Sequence, residues 1–214
     1  MNRSTMIPFP LIRSLFALLL LACSFAVQAQ EKMLYVEYRV MSPKLPPSST
    51  ETQVRKLWLV GDKYMRFEDV PNVETGVHGL IIVAEPDIWI LDRKTNKGQH
   101  SVDPGPSYAV HFPMLATETS ERLRRLEFGN ELAYFQQNGA RELANQVLDG
   151  VNCTVFALDM DEHELFLYVR KDGKPFQITV KTDASEYSVR IVKYEPGSQP
   201  DLNLFRPPVG ARFN

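Results

Sequence analysis

From Met33 onward apolar and polar positions alternate, and turn residues interrupt the alternation at short intervals, the pattern of half-buried antiparallel strands. Leu34, Val36, Tyr38 and Val40 fall on one face of the first run, with Tyr35, Glu37 and Arg39 on the other. The proline-rich stretch SPKLPPSST, 42–50, then reads as a loop. A run ending at Val60, the Gly61-Asp62 turn and a return through Lys63 to Asp69 predict a hairpin in which Met65 and Phe67 oppose Tyr64, Arg66 and Glu68. GLIIVAE and IWILD flank Pro86-Asp87 as a second hairpin, and NKGQHSV adds a short strand.

Between Thr117 and Gly139 the period lengthens: Leu123, Leu126, Leu132 and Phe135 have helical spacing, and Thr119 or Ser120 can cap. Gly129-Asn130 divides the segment into two short helices, and Asn138-Gly139 ends them. Strands return in NQVLDGVNCTVFALD, ELFLYVRKDGKPFQITVKT and EYSVRIVKY, with Asp172-Gly173 as a hairpin turn. Phe176, Ile178 and Val180 share one face there, as do Tyr187, Val189 and Ile191, and the opposite face is expected to be wet. The fold class is α+β: one antiparallel sheet of about ten or eleven strands with a helical insertion over 117–139. A sheet that wide curls, and its apolar concave face needs a cover, for which the 117–139 helices and the proline-rich loops are available.

The first thirty residues change the address. Arg3 and Arg13 precede or open an apolar run from Ser14 to Val27 that ends in small residues, the form of a secretory leader and shorter than the roughly 20 residues that span a bilayer. Val27-Gln28-Ala29 fits cleavage after Ala29, whereas Leu20-Leu21-Ala22-Cys23 resembles a bacterial lipobox that would leave an acylated Cys23. Cleavage after Ala29 is preferred because the chain stays apolar past Cys23, where a lipid-anchored protein turns polar. The domains are then 1–29, a leader, and 30–214, with no retained transmembrane helix and a periplasmic location. The mature chain keeps 22 basic and 26 acidic residues, a formal charge of −4, and no basic cluster with interleaved aromatics, so it has no electrostatic footprint for nucleic acid. Only Cys153 remains, which excludes an intramolecular disulfide and leaves stability to a core that, at this length, buries about 70% of the unfolded surface.

Catalytic patterns do not emerge. Gly-x-Ser-x-Gly, Cys-x-x-Cys, a phosphate-cradling glycine loop and His-Glu-x-x-His are all missing from the sequence. His163-Glu164, within DMDEHELF, falls where a solvated hairpin loop belongs, and His78, His100 and His111 have no ligand spacing. Cys153 alternates with Val151 and Val155 as a small buried hydrophobe. No metal or other cofactor is implied, and a hydrolase is disfavoured because no nucleophile pairs with a base. What remains is an apolar surface wider than two short helices fill. Leu57, Trp58, Met65, Phe67, Trp89, Phe176, Ile178 and Ile191 are its candidate lining, by face assignment.

The order of elements resembles a known superfamily. LVGDKYMRFE, IIVAEPDIWILD, LDGVNCTVFALD, LFLYVRKDGKPFQITVK and the ending DLNLFRPPVGARF are similar to the outer-membrane lipoprotein carrier and sorting proteins, the LolA/LolB-like half-barrels. The resemblance covers nearly all of the mature chain and rests on structural punctuation, such as Gly150-Val151-x-Cys153 and Leu204-Phe205-x-Pro207-Pro208-x-Gly210. It implies a strongly curved half-barrel whose open side is covered by helices around a hydrophobic cavity, and a non-catalytic role binding or carrying a lipid or lipoprotein acyl chain. It also implies an arginine near the cavity that holds the lid, for which Arg55 and Arg66 are the first-half candidates. Gly129-Asn130 and the 42–50 loop are the candidate moving parts. The alternative is an envelope sensor module of the same fold that binds a protein partner and transports nothing.

Overall fold

The alternating runs pair in the order of the chain. In the computed structural model, which describes residues 31–102, 123–160, 163–183 and 185–214, the first six strands form a meander. They are β1 (Met33–Met41), β2 (Arg55–Val60), β3 (Tyr64–Glu68), β4 (Gly79–Ala84), β5 (Asp87–Asp92) and β6 (Lys97–Val102). A second meander follows: β7 (Arg141–Leu148), β8 (Val151–Met160), β9 (His163–Arg170), β10 (Pro175–Thr182) and β11 (Ser185–Ser198). β1 joins the two by pairing with β2 on one side and β11 on the other. The result is one open twelve-stranded sheet, β12-β6-β5-β4-β3-β2-β1-β11-β10-β9-β8-β7. Every pairing is antiparallel except that of the last strand, β12 (Arg212–Phe213), which runs parallel to β6. The segment NQVLDGVNCTVFALD is two strands, turned at Asp149-Gly150.

Register shifts break the ladder between Glu37 and Tyr38, between Leu143 and Gln146, and between Pro175 and Gln177, and such bulges bend strands and add twist. One hydrophobic cluster consequently runs along the inner face from Met65 in β3 to Leu158 in β8. Those strands are six neighbours apart in the sheet order, about 29 Å if the sheet were flat. The rolled half-barrel brings them round a shared core.

Within 117–139 the described residues form a 3-10 turn at Leu123–Arg125 and a helix, α1 (Glu131–Gln137), separated near Gly129-Asn130. The proposed caps Thr119 and Ser120 lie outside the described residues. Glu131, Tyr134 and Phe135 form the buried stripe of α1, and Leu123, Leu126 and Phe128 enter the same core just before it. The helix ends as Asn138-Gly139 foretells, with the Gly139 amide donating to Gln136 O and the Ala140 amide to Phe135 O, a Schellman closure.

The outer face departs from expectation, because it is wet only in part, at residues such as Lys56, Glu186 and Lys193. Met33, Val60, Leu80, Ile82 and Leu91 point outward and are covered by the chain after β11, whose Phe205 inserts among them. This covering strap begins with a 3-10 turn, Leu202–Phe205, where Asp201 accepts from the Asn203 amide at 3.0 Å, and Arg66 donates to Leu204 O at 2.9 Å. In the second half the outward Gln177, Thr179, Ser188 and Arg190 are buried but bonded to one another. Arg190 donates at 2.9 and 2.6 Å to Gln177 Oε1 and at 2.6 Å to Asp149, which the β7–β8 turn presents. A satisfied network of this kind is tolerated where an isolated buried cation is not.

Gly98 shows how closely the strap-bearing edge is built. A Cβ there would lie 2.2 Å from Ile90 O and 2.6 Å from Leu91 Cβ, both on the paired strand. Gly98→Ala is expected to force β5 and β6 apart and to lower stability by about 1–3 kcal/mol, measured as a reduced urea midpoint. Because the Asn214 amide donates to Gly98 O at 3.2 Å, protection of that amide should fall with it.

Candidate functional site

The inner face is well covered in one part and less so in another. In the cluster that α1 enters with Tyr134 and Phe135, Leu57, Met65, Leu165, Leu167, Ile178 and Ile191 are at most 2% exposed. Across β2 to β5 the same face presents Leu59, Phe67, Ile81 and Ile88, all half-buried, and Ile90, which is 53% exposed. In the register Phe67, Ile81 and Ile90 are cross-strand neighbours, Leu59 and Ile88 flank the buried Met65 and Val83, and Leu59, Phe67, Ile81 and Ile88 pack against the main core.

The expected lining residues divide accordingly. Leu57, Met65, Ile178 and Ile191 form the inner-face floor, and Phe67 belongs to its half-buried part. Trp58 and Trp89 do not share that face: Trp58 pairs with the outward Tyr35, their rings tilted at 4.8 Å, and Trp89 stacks on His100 at 5.2 Å beside the strap. Alternation forbids adjacent Leu57 and Trp58 from facing the same way. Phe176 is also outside. The register shift between Pro175 and Gln177 turns its ring outward, between the guanidiniums of Arg190 at 4.3 Å and Arg170 at 4.7 Å. Leu59, Ile81 and Ile88 take the places that sequence reasoning gave to the larger aromatics.

Of the two arginines, Arg55 is at the inner face, its guanidinium 5.7 Å from the Phe67 ring and 3.1 Å from Asp69. Arg66 is outside, pairing with Glu68 at 2.6 Å and holding the strap. His163 opens β9 opposite Met160 and is half-buried, so DMDEHELF is strand at that point where a solvated loop was expected. His100 pairs with Asp87 at 2.7 Å on the outer face, and His111 lies outside the described residues. Cys153 is 1% exposed, and burial pushes its thiol up, against the nearby cations Arg170 and Arg190. Among the described residues no three histidine, cysteine or acidic side chains gather as metal ligands.

One polar group on the inner side had no sequence signal. Glu131, the first residue of α1, is 2% exposed. Its Oε2 accepts from the Gly129 amide at 3.0 Å and from the Tyr194 hydroxyl of β11 at 3.2 Å, while Oε1 is buried with no hydrogen-bond partner. Burial pushes this carboxyl up to about 7, outweighing the lowering effect of its own amide, the Gly129 amide and Tyr194. Tyr194 is raised in turn, by burial and by the acid it bonds.

No family model and no curated relative matches the chain. Solved structures do. An uncharacterized conserved protein from Thermus thermophilus is similar over 86% of this chain and 90% of its own, with a TM-score of 0.50 and 10% identity. The Mycobacterium tuberculosis lipoprotein LppX is similar over 80% of this chain and 88% of its own, at a TM-score of 0.40 and 11% identity. A putative outer membrane lipoprotein-sorting protein domain from Vibrio parahaemolyticus is similar over 81% and 88%, at 0.35 and 8%. At 10% identity the likeness to the Thermus thermophilus structure is one of fold. No helix among the described residues is long and apolar enough to cross a membrane.

Proposed function

We propose that this protein is a non-catalytic binding protein or carrier for a lipid or lipoprotein acyl chain, working in the periplasm after loss of residues 1–29. The leader and Cys23 lie outside the described residues. The observation that carries the reading is the half-buried apolar strip of Leu59, Phe67, Ile81 and Ile88, continued by Ile90, packed against the core that α1 enters. Such a strip matches a chain of methylenes, each contributing about 0.8 kcal/mol on burial, with Arg55, paired to Asp69, as the charged group beside Phe67. The buried Cys153, with its thiol held protonated, supplies no nucleophile.

The two faces make the reading testable with the protein's own tryptophans. Bromine quenches indole fluorescence at short range, and both Trp58 and Trp89 are on the outer face. Brominated palmitate is therefore expected to leave the native emission unchanged and to quench a Phe67→Trp variant by about the added tryptophan's share. Quenching of the native pair would move the ligand to the outer face. Absence of quenching in both proteins, with no lipid carried through gentle native mass spectrometry, would end the carrier reading in favour of an envelope protein-interaction module.

A further inference from the structure

Glu131 is the one buried acid among the described residues, and it sits at the junction between the lid and the sheet. Its neighbours can be named element by element. β11 contributes the Tyr194 hydroxyl, and the chain leading into the helix contributes the Gly129 amide. Lys193 and Glu195 flank Tyr194 in sequence but pair with each other at 3.1 Å, and they are aligned with the outward Glu37 and Tyr35 of β1. β1 brings Leu34 near Gly129, and its inward Tyr38 stacks on Phe128 at 4.9 Å. Of the strands packed against the helix, β8 offers Met160, which accepts from Tyr134 of the helix itself, and β9 begins with His163 opposite Met160. Exposed Arg125 and half-buried Glu127 precede the helix. Among the described residues none of the cations forms an ion pair with Glu131.

Among the described residues a carboxylate in this position has no ion-pair partner, and its Oε1 is buried without a hydrogen-bond donor. Dehydrated, uncompensated charge is among the most unfavourable things a core can contain. The neutral acid fits, since it keeps the two bonds to Oε2 and carries no charge to solvate. The ionised acid gains hydration only if the start of α1 lifts from Tyr194. Buried Tyr134 and Phe135 hold the later turn of α1 in the core, while its first turn is the part that Glu131 ties down; α1 is two turns long and is bounded by Gly129 and Gly139, at φ +98° and +80°.

We propose that Glu131 is a proton-operated latch: the neutral carboxyl holds α1 against β11 over the inner face, and loss of its proton to solvent releases the helix and opens the core against which the apolar strip packs. The inference rests on the carrier reading for its purpose, as a regulation of ligand entry, but the movement itself does not depend on it.

Hydrogen exchange tests it on the whole protein. The Tyr134, Asn138 and Ala140 amides, bonded to Asn130, Tyr134 and Phe135 carbonyls, report the helix, and Leu165 to Val169 in β9 serve as the reference. After correction for intrinsic exchange, helix protection is expected to fall about tenfold between pH 6 and 8.5 while the β9 amides hold. In Glu131→Gln it should be flat across that range. Tyr194→Phe removes a donor that favours the charged form, so its transition should move to higher pH, which keeps the idea testable if Glu131→Gln folds poorly. Equal pH dependence in the native protein and Glu131→Gln, or a downward shift in Tyr194→Phe, overturns the latch. In parallel, uptake of cis-parinaric acid should quicken as helix protection falls. A helix that switches without any uptake supports the latch and sinks the carrier reading, whereas uptake with a pH-independent helix supports the carrier and sinks the latch.

Discussion

Replacing Phe205 with alanine should cost the fold about 3–5 kcal/mol, a larger loss than any substitution on the exposed strands, although the residue belongs to neither meander. Its ring is 1% exposed, lies 5.4 Å from that of Tyr64 and fills the space among Leu80, Ile82, Leu91, Met33 and Val60. The rest of the strap is held lightly. β12 pairs over two residues, and Arg66 contributes one bond to a carbonyl. Truncation at 205 therefore removes the main anchor, leaves a cavity and exposes the outward apolar side chains of the first meander. A lowered urea midpoint measures the loss, and a red shift of Trp58 and Trp89 emission before unfolding reports the strap leaving, since both indoles pack in that cluster. Phe205→Leu should recover most of the stability. An alanine variant within about 1 kcal/mol of the native protein would show that the outer face stands without its strap.

What the sequence disclosed and what it withheld have distinct physical causes. Alternation found the strands because each side of this sheet meets a different environment, and turn pairs such as Gly61-Asp62 and Asp172-Gly173 marked the hairpins. It misled on the solvated face because LIIV in β4 is apolar at every position, as befits a strand covered on both sides, and the cover comes from residues more than a hundred positions later. The ending DLNLFRPPVGARF was recognisable as punctuation, but nothing local says that it crosses the outer face. The candidate lining failed where bulk was preferred to parity. Trp58 and Trp89 are large and apolar, yet their strands put Leu57, Leu59 and Ile88 inward. Phe176 obeyed the alternation and was displaced by a bulge, which leaves no mark in the amino acids themselves. Glu131 was invisible for another reason. An acid in the first turn of a helix is ordinary on an exposed surface, and only the tertiary contact with Tyr194 makes it a buried one.

Global stability should fall as pH rises from about 4.5 to about 7, in the opposite sense to ordinary acid denaturation. The folded protein holds the Glu131 proton up to about 7, while the unfolded chain releases it near 4.5, so between those values the native state binds more protons and each rise in pH favours unfolding. The contribution is fully present below about 4.5 and lost above about 7, and a shift of this size corresponds to about 3 kcal/mol. Asp92 acts in a separate window. The His78 and Lys94 amides and the Thr95 hydroxyl hold its carboxyl down to about 2, so its contribution is lost only as pH falls below its ordinary value of 3.8. Urea denaturation at pH 5 and pH 8 should therefore separate the native protein from Glu131→Gln, which lacks the slope. The depth of the slope carries further information. If α1 stays docked, the whole 3 kcal/mol or so is lost; if it opens at a smaller cost, the ionised acid is hydrated and the loss stops at the free energy of opening. A plateau well short of 3 kcal/mol, together with lost protection in α1, thus measures how firmly the latch was closed, and a native protein with no slope at all would mean that Glu131 is hydrated in the folded state.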